Sequence, residues 1–207
     1  MQKKRHNIWI LLMSLALFLL AAVLSLLLGS AAFSPAELWK AAAGGADAAV
    51  LRIFLHVRLP RTLACILAGS ALAVSGVIIQ SVLANTLAGP NIIGVNAGAG
   101  FFAVLCAAFL PHWPAAVPTA AFLGALAAML LVYAIARATR ASRIALVLSG
   151  VAVSSVLSAG IDAVVTLLPD TLTGASSFRI GGVSGAAMKS LAVPGAYILA
   201  GILLAFS

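Results

Sequence analysis

The chain has 207 residues and a mass of 20.8 kDa; 64% of its residues are hydrophobic, 8% are charged, and the mean hydropathy is +1.21. A soluble domain is nearer half apolar and a quarter charged. Because a small domain leaves a large share of its surface exposed, this chain cannot hide so much apolar surface from water. The composition excludes an ordinary cytosolic enzyme, a disordered chain and a disulfide-rich secreted domain, and it indicates an integral membrane protein.

The net charge of +8 does not indicate a nucleic-acid partner. The twelve Lys and Arg residues occur in short clusters between apolar runs, as topology signals in membrane proteins do. Cys65 and Cys106 lie within apolar runs, without a Cys or His at metal-ligand spacing, so we interpret them as small buried hydrophobic residues. His6, His56 and His112 are far apart in sequence and indicate no metal or haem site.

Six apolar segments can be assigned as spans, given that a transmembrane helix needs roughly 20 residues. Helices are expected because the alternating pattern of a barrel strand is absent. The first segment is longer than the roughly 7–15 residues of a signal-peptide core, so we expect it to be an uncleaved span. The predicted spans are Ile8–Leu28, Thr62–Leu83, Ile92–Leu110, Val117–Ala136, Ile144–Leu168 and Leu191–Ser207.

The segments between the spans carry their own signals. Asn85, Gly89 and Pro90 interrupt the helical pattern between the second and third spans. Residues 34–44 predict a short amphipathic helix outside the membrane, because Ser34 can cap it and Glu37 follows three residues later. Residues 169–189 are rich in Gly, Ser and Thr and predict an outer loop with room for one short helix.

The basic clusters predict the orientation. The cluster at residues 3–5 predicts a cytoplasmic N-terminus, and six alternating spans then place residues 137–143 on the same side. A third cluster, formed by Arg52, Arg58 and Arg61, falls outside and departs from the positive-inside rule. An acidic partner outside the membrane would explain this departure, and so would simple translocation of a loop with three basic residues.

Two predicted spans carry a stripe of small or polar residues. In the fifth span the stripe is Gly150, Ser154, Ser158, Asp162 and Thr166, and in the second it is Gly69, Ala73, Gly76 and Gln80. Small residues favour close packing of helices. An ionisable group at membrane depth instead favours a cavity or a partner, unless it reaches the interface. Packing and a transport path therefore both stay open for these faces.

No motif for catalysis is present in the sequence. It contains no phosphate-binding loop, no H-E-x-x-H, no G-x-S-x-G and no pair of carboxylates at catalytic spacing. We therefore expect no enzyme activity, no metal and no cofactor in this chain.

Residues 58–100 read RLPRTLACILAGSALAVSGVIIQSVLANTLAGPNIIGVNAGAG. This stretch closely resembles the signature of the FecCD-type permeases, the membrane subunits of ABC importers for iron–siderophore complexes, haem and vitamin B12. The family pattern is R-x-P-R, then a helix ending in S-G-x-x-x-Q, then N-P-L-A-x-P-x-x-L-G-x-x-x-G-A. Thr86 stands where the family has proline, and residues 142–159 resemble the family's fifth helix. The positions that match the signature are Arg58, Pro60, Arg61, Gly69, Ser75, Gly76, Gln80, Asn85, Leu87, Ala88, Pro90, Gly94, Gly98 and Ala99.

The resemblance implies an all-α polytopic bundle that forms one transmembrane permease domain over residues 1–207. It implies that Arg58 and Arg61 meet glutamates of a substrate-binding protein on the outer face. It implies a translocation path lined by Gln80, Ser154, Ser158 and Asp162, and a cytoplasmic gate at Asn85, Leu87 and Ser142. The expected partners are ABC ATPase subunits, the binding protein, a second permease copy and the lipid bilayer of the bacterial cytoplasmic membrane.

The resemblance also bears on what the chain transports and how much of a permease it is. A family member has about ten spans, so six spans correspond to its N-terminal part. The expected substrate is an iron–siderophore complex or a related chelate such as haem or cobalamin, with ATP hydrolysed on a separate subunit. A secondary transporter would need coupling carboxylates near mid-membrane, for which Asp162 is the one candidate. A membrane-embedded enzyme, a structural scaffold and a non-functional truncated permease also stay open.

Overall fold

In a computed structural model of the chain, residues 2–29, 34–43, 48–113, 116–138, 143–169, 181–183 and 185–207 are described, and they form helices and no strand. The predicted all-α class is confirmed. Two short segments accompany the α-helices, a π-helical segment at Phe54–Arg58 and a 3₁₀ turn at Pro90–Ile93. The α-helices in this part of the chain are α1 (Gln2–Leu27), α2 (Pro35–Ala42), α3 (Ala48–Ile53), α4 (Leu59–Leu83), α5 (Val95–Phe109), α6 (Ala116–Ala138), α7 (Arg143–Leu167) and α8 (Met188–Ala205).

The chain divides into two compact units. Residues 1–66 and 183–191 form the first unit, and residues 67–182 and 192–207 form the second. Over the described ranges, five helices are long and apolar enough to cross a bilayer. They correspond to five of the six predicted spans. Four of them are α1, α6, α7 and α8, and the fifth is the continuous helix formed by α3, the π-helical segment and α4.

The third predicted span is shorter than expected. Its helix, α5, has 15 residues, a length of about 22 Å against a hydrocarbon core of about 30 Å. The prediction began this helix at Ile92, but the 3₁₀ turn occupies that position and Gly94 adopts a left-handed conformation, with φ +78°. A left-handed residue cannot continue a right-handed helix, so α5 begins at Val95.

The second predicted span is longer than expected. The segment before Thr62, predicted as a loop, is helical, so that one apolar helix runs from Ala49 to Leu83 through α3, the π-helical segment and α4. Its 35 residues measure about 52 Å, well beyond the bilayer core. Sequence reasoning began the second span at Thr62 and did not predict a helix before it. A proline such as Pro60 ordinarily conflicts with a helix interior, because it lacks an N–H and clashes with the preceding turn. The wider π-helical turn just before Pro60 absorbs this conflict, with Leu59 N–H donating to the Phe54 carbonyl five residues back.

In the first unit, the predicted short helix outside the spans is present as α2. The backbone N–H of Ser34 donates to Glu37 Oε2 at 2.8 Å, and the backbone N–H of Glu37 donates to Ser34 Oγ at 3.2 Å. This reciprocal pair is a capping box, which satisfies backbone donors that a helix start leaves without partners. The amphipathic helix predicted at 34–44 is therefore confirmed over Pro35–Ala42.

In the second unit, α5, α6 and α7 pack against one another. Gly98 and Gly124 bring α5 and α6 so close that a Cβ on either glycine would collide with the backbone oxygen of the other. Buried Val104 and Ile161 form the contact between α5 and α7. Close approach of backbones maximises van der Waals contact, which drives helix association where lipid tails leave no hydrophobic driving force.

Helix α8 is joined to α6 within the same unit. The rings of Phe122 and Tyr197 stack with centroids 4.7 Å apart and an interplanar angle of 19°. The hydroxyls of Tyr197 and Thr119 are hydrogen-bonded at 3.2 Å. The loop predicted between the fifth and sixth spans lies mostly outside the described residues, and α8 begins at Met188, three residues before the predicted start.

Candidate functional site

Arg58 lies at the end of the π-helical segment and is the more deeply buried of the two arginines predicted to dock a partner. Its side chain is 7% exposed. Its Nη1 donates to the carbonyl oxygens of Leu26 at 2.8 Å and Leu27 at 2.6 Å. These carbonyls belong to the last turn of α1, where a helix has no N–H groups of its own to pair with them. Arg58 therefore caps the C-terminus of α1, and its positive charge complements the helix dipole there.

Arg61 follows one turn later and is exposed. Together with Arg58, Ser25, Gly29 and Val57, it lines a cavity of about 150 Å³ in the first unit. Both arginines therefore line one cavity at the end of α1. A guanidinium donates through several N–H groups in a fixed fork, which suits carboxylates.

From helix lengths we expect this arginine pair to lie near a membrane boundary. The membrane-crossing part of α1 begins at Arg5 and ends at Leu27, where Arg58 caps it. The 22 residue steps from Arg61 to the end of α4 at Leu83 measure about 33 Å, close to one bilayer core. Both lengths match a membrane span that ends beside the arginine pair. The helix before Arg58 extends beyond it.

The stripe on α7 divides into two parts. Near the start of the helix, Gly150 packs so tightly against the 3₁₀ turn that a Cβ there would collide with the carbonyl oxygen of Ile92. Ser154 is half-buried beside Gly94, and its Oγ donates to the Gly150 carbonyl at 2.8 Å. This end of the stripe is a packing surface.

The other end of the stripe is more open. Ser158 is half-buried and Asp162 is exposed, and the Thr166 hydroxyl donates to the Asp162 carbonyl at 2.7 Å. Asp162 lies five residues before the end of α7 at Leu167, a distance of about 7 Å along the axis. Because α7 is longer than the bilayer core, we expect this carboxylate to lie toward the interface, where its charge costs far less than at mid-membrane.

A tight turn joins α4 to the 3₁₀ segment. Ala84 has φ +46°, the one non-glycine residue with positive φ in the described chain. The Asn85 N–H donates to the Gln80 carbonyl at 3.1 Å, and Asn85 Oδ1 accepts from the Leu87 N–H at 2.9 Å. Leu87 is 87% exposed at the tip of the turn. A large apolar side chain is therefore held outward by a turn that the Asn85 side chain closes on its own backbone.

Comparison with known proteins assigns the family. The model of the FecCD transport family matches residues 17–207, which is nearly the whole chain. The chain belongs to the FecCD transport family. This confirms the resemblance inferred from the signature at residues 58–100.

Three relatives illustrate the similarity to other FecCD proteins. The chain is 40% identical over 159 residues to the ferric enterobactin transport permease FepD of Escherichia coli, which covers 75% of the chain and 48% of FepD. It is 38% identical over 191 residues to the achromobactin transport permease CbrC of Dickeya dadantii, covering 90% and 55% respectively. It is 38% identical over 164 residues to the vitamin B12 import permease BtuC of Escherichia coli, covering 76% and 47%. The chain thus spans about half the length of these curated relatives.

A solved structure supports the same fold. It is an inward-facing conformation of a protein assigned to the metal-chelate type of ABC transporter, with 26% identity and a TM-score of 0.78. The match covers 96% of this chain and 62% of that one. FecCD proteins are transport permeases, so the expectation that this chain belongs to a transport family and not to an enzyme family is confirmed at that level.

The FecCD signature residues fall at separate places. Arg58 and Arg61 line one cavity, and Asn85 and Leu87 share one turn. Gln80 is half-buried on α4. Ser142, the third predicted gate residue, lies outside the described residues. The transport roles assigned to these side chains stay predictions.

Sequence reasoning missed two features of this FecCD chain. It predicted Arg58 as a docking residue and did not anticipate the cap on α1, because partners more than thirty residues away give no local signal. It also missed the contact of Gly98 with Gly124. A spacing signal for that contact exists in α6, where the buried residues Gly124, Ala128, Val132 and Ala136 recur every four positions.

Proposed function

We propose that the chain is a permease subunit, or the N-terminal part of one, in an ABC importer of the bacterial cytoplasmic membrane. Its substrate is an iron–siderophore complex or a related chelate. The supporting observation is the family match over residues 17–207, together with the R-x-P-R arginines beside one cavity at a membrane boundary. The relatives described as carrying ferric enterobactin, achromobactin and vitamin B12 support a chelate as the substrate class.

In this proposal the chain itself performs no catalysis and holds no cofactor. ATP is hydrolysed on separate subunits, and the permease, paired with a second copy, alternates between inward- and outward-open states. The N-terminus lies in the cytoplasm, so the end of α1 and the arginine pair face outward. ATP and the binding protein can shift the equilibrium between the inward- and outward-open states only if they bind one state more tightly than the other.

Arg61 is the proposed contact for an acidic binding protein, because its guanidinium is exposed beside the cavity. Gln80, Ser158 and Asp162 are the proposed path residues, and Asn85, Leu87 and Ser142 the proposed gate. Ser154 has a second role in packing, as its contact beside Gly94 indicates.

Uptake of radiolabelled ferric siderophore tests the function. The gene is expressed in cells that lack their own FecCD permeases but keep the ATPase and binding protein. Uptake that orthovanadate abolishes supports an ABC importer, whereas uptake that an uncoupler abolishes and vanadate spares identifies a secondary transporter. No uptake with ferric siderophore, haem or cobalamin overturns the proposal.

A charge reversal tests docking. Arg61→Glu should lower binding-protein affinity by a factor of ten or more, since it replaces attraction by repulsion at a contact. Arg52→Glu is the matched control: Arg52 is also exposed in the first unit, but it lies on α3, outside the arginine cavity. Equal losses in the two variants, both removed by salt, would show general electrostatic attraction and no specific contact.

A further inference from the structure

We propose that one face of the long helix, just beyond the expected membrane boundary, binds the phosphate headgroup of an anionic phospholipid. The face consists of Arg52, Ile53, His56 and Val57, which line an open groove of about 440 Å³ in the first unit. We call it the basic groove. Its occupant is a membrane lipid, so this proposal depends neither on the transported substrate nor on a binding protein.

The basic groove has the composition of a site for an amphiphile. Arg52 and His56 are four positions apart, so they lie one above the other on the helix, and Ile53 and Val57 repeat that spacing one position later. A basic row therefore runs beside an apolar row. A phospholipid carries the complementary groups, a phosphate joined through glycerol to apolar chains. Among the described residues that line the groove, none is acidic.

Arg52 supplies the main anchor for the phosphate. Its side chain is exposed, and a guanidinium fork binds phosphate oxygens through two parallel N–H groups. His56 Nδ1 donates to the Arg52 carbonyl at 3.2 Å, because a carbonyl oxygen can only accept. This bond holds the imidazole one turn from Arg52 and leaves Nε2, on the other side of the ring, as a second donor when the ring is protonated.

The expected depth of the basic groove matches the headgroup layer. A bilayer measures about 40–45 Å with its headgroups and about 30 Å without them, so each headgroup layer is about 5–8 Å thick. The span that ends at Leu83 reaches the edge of the core near Arg61. His56 lies about 7 Å further along the helix axis. Arg52 lies one turn beyond His56, and its long side chain can extend back to the headgroups.

The surface around the basic groove suits the same layer. Leu55, next to His56 in sequence, is 41% exposed. Helix α2, which packs against α3, carries Trp39 at 78% exposure beside exposed Lys40. Tryptophan is enriched at membrane–water interfaces, where its ring is partly apolar and partly polar, and basic side chains are attracted there by lipid phosphates. A headgroup layer at this height accounts for the exposed apolar side chains and for the basic ones between them.

Quenching of a single tryptophan by brominated lipids tests the basic groove. Trp9, Trp39 and Trp113 are replaced by phenylalanine, and Leu55→Trp places the reporter at an exposed position next to His56. The protein is reconstituted in phosphatidylcholine vesicles with a minor fraction of phosphatidylglycerol, and either lipid carries the bromine. Phosphatidylglycerol should be enriched about fivefold around the reporter, since each basic residue near the surface attracts anionic lipid. Equal quenching by the two lipids, mole for mole, overturns the proposal.

Substitutions assign the enrichment to the groove. Arg52→Gln with His56→Gln should abolish it, whereas Arg52→Lys should keep part of it, because an ammonium attracts phosphate without the fork. Arg5→Gln with His6→Gln is the matched control, since it removes the same residue types from exposed positions on α1. The control should leave the enrichment within about twofold of the parent. Equal losses in the two double variants would show general attraction and no groove. Tm measurements establish that each variant is folded.

Two other occupants of the basic groove give different results. Glycerol 3-phosphate, the soluble headgroup, should not displace the lipid, because it lacks the chains that Ile53 and Val57 contact; displacement at low concentration would identify a site for small anions and overturn the lipid. If Arg52→Gln with His56→Gln abolishes docking of a binding protein and leaves the lipid enrichment unchanged, the groove belongs to that protein. The quenching result stands by itself if no binding protein docks, so failure of the proposed function leaves this test intact.

Discussion

The two units of the chain hold their helices together in different ways. In the second unit, α5, α6 and α7 meet through small residues, and glycines let backbone touch backbone. In the first unit, α1 is held at its end by hydrogen bonds from Arg58 and between Ser25 and Thr62, while most of its length is exposed. The first kind of contact depends on shape over a whole face, and the second on a few directional bonds. The comparison predicts that the second unit is sensitive to added volume and the first to lost donors.

The largest expected effect is from Gly98→Ala. A Cβ at position 98 collides with the Gly124 carbonyl and the Ala128 side chain, so the helices must separate. We expect the free energy of unfolding to fall by about 3 kcal/mol and the Tm in detergent to be lower. Gly69→Ala is the matched control, since the described chain has no atom within 4 Å of a Cβ there, and relief of glycine's helix penalty should raise the Tm slightly. A similar Tm change in both variants would contradict shape-dependent packing of α5 and α6.

The next effect is from Arg58→Met, which removes the charged cap from α1. Hydrogen bonds to charged groups contribute about 1.5–3 kcal/mol, and we expect a loss in that range. The signature of this loss is local: amide hydrogen exchange should rise in the last turn of α1 and stay unchanged in α5 and α6. Exchange that rises equally in both units would show that Arg58 stabilises the whole chain and not one helix end.

A smaller effect is expected from Ser34→Ala in the capping box of α2. Loss of a capping side chain typically costs about 1 kcal/mol. Because α2 is short, the cost should appear as faster exchange at the Glu37 amide, the group that Ser34 Oγ accepts from. Ser14→Ala provides the control, since that hydroxyl bonds a carbonyl one turn back in the middle of α1 and caps nothing. Unchanged amide hydrogen exchange at Glu37 would show that the capping box does not stabilise the start of α2.

The smallest effect is expected from Thr62→Val, which deletes one hydroxyl from the Ser25–Thr62 pair without changing side-chain volume appreciably. Hydrogen bonds between membrane helices average about 0.6 kcal/mol, so the Tm should fall only slightly. In an Arg58→Met background the same change should cost more, because the two contacts hold one helix end. Strict additivity of the two substitutions would indicate that they act independently.

Local signals explain which elements could be predicted. The capping box of α2 depends on residues three apart, and the order of the spans depends on runs of apolar residues, so both are visible in sequence and both were confirmed apart from the shortened α5. The helix before Thr62 was not predicted, and the π-helical segment that accommodates Pro60 within it has no sequence signature. The sequence also could not show that one end of the α7 stripe is a packing surface and the other end is more open, because both ends have the same four-residue spacing.

The sequence by itself determined that this is a helical membrane protein, and its R-x-P-R and following motifs determined the FecCD family, because composition and spacing are properties of the chain alone. The tertiary structure alone decided what neighbouring residues do. Arg58 and Arg61 are three positions apart and chemically identical, yet one caps α1 and the other is exposed. That difference comes from a helix end more than thirty residues earlier in the chain, which only folding brings within hydrogen-bond distance of Arg58.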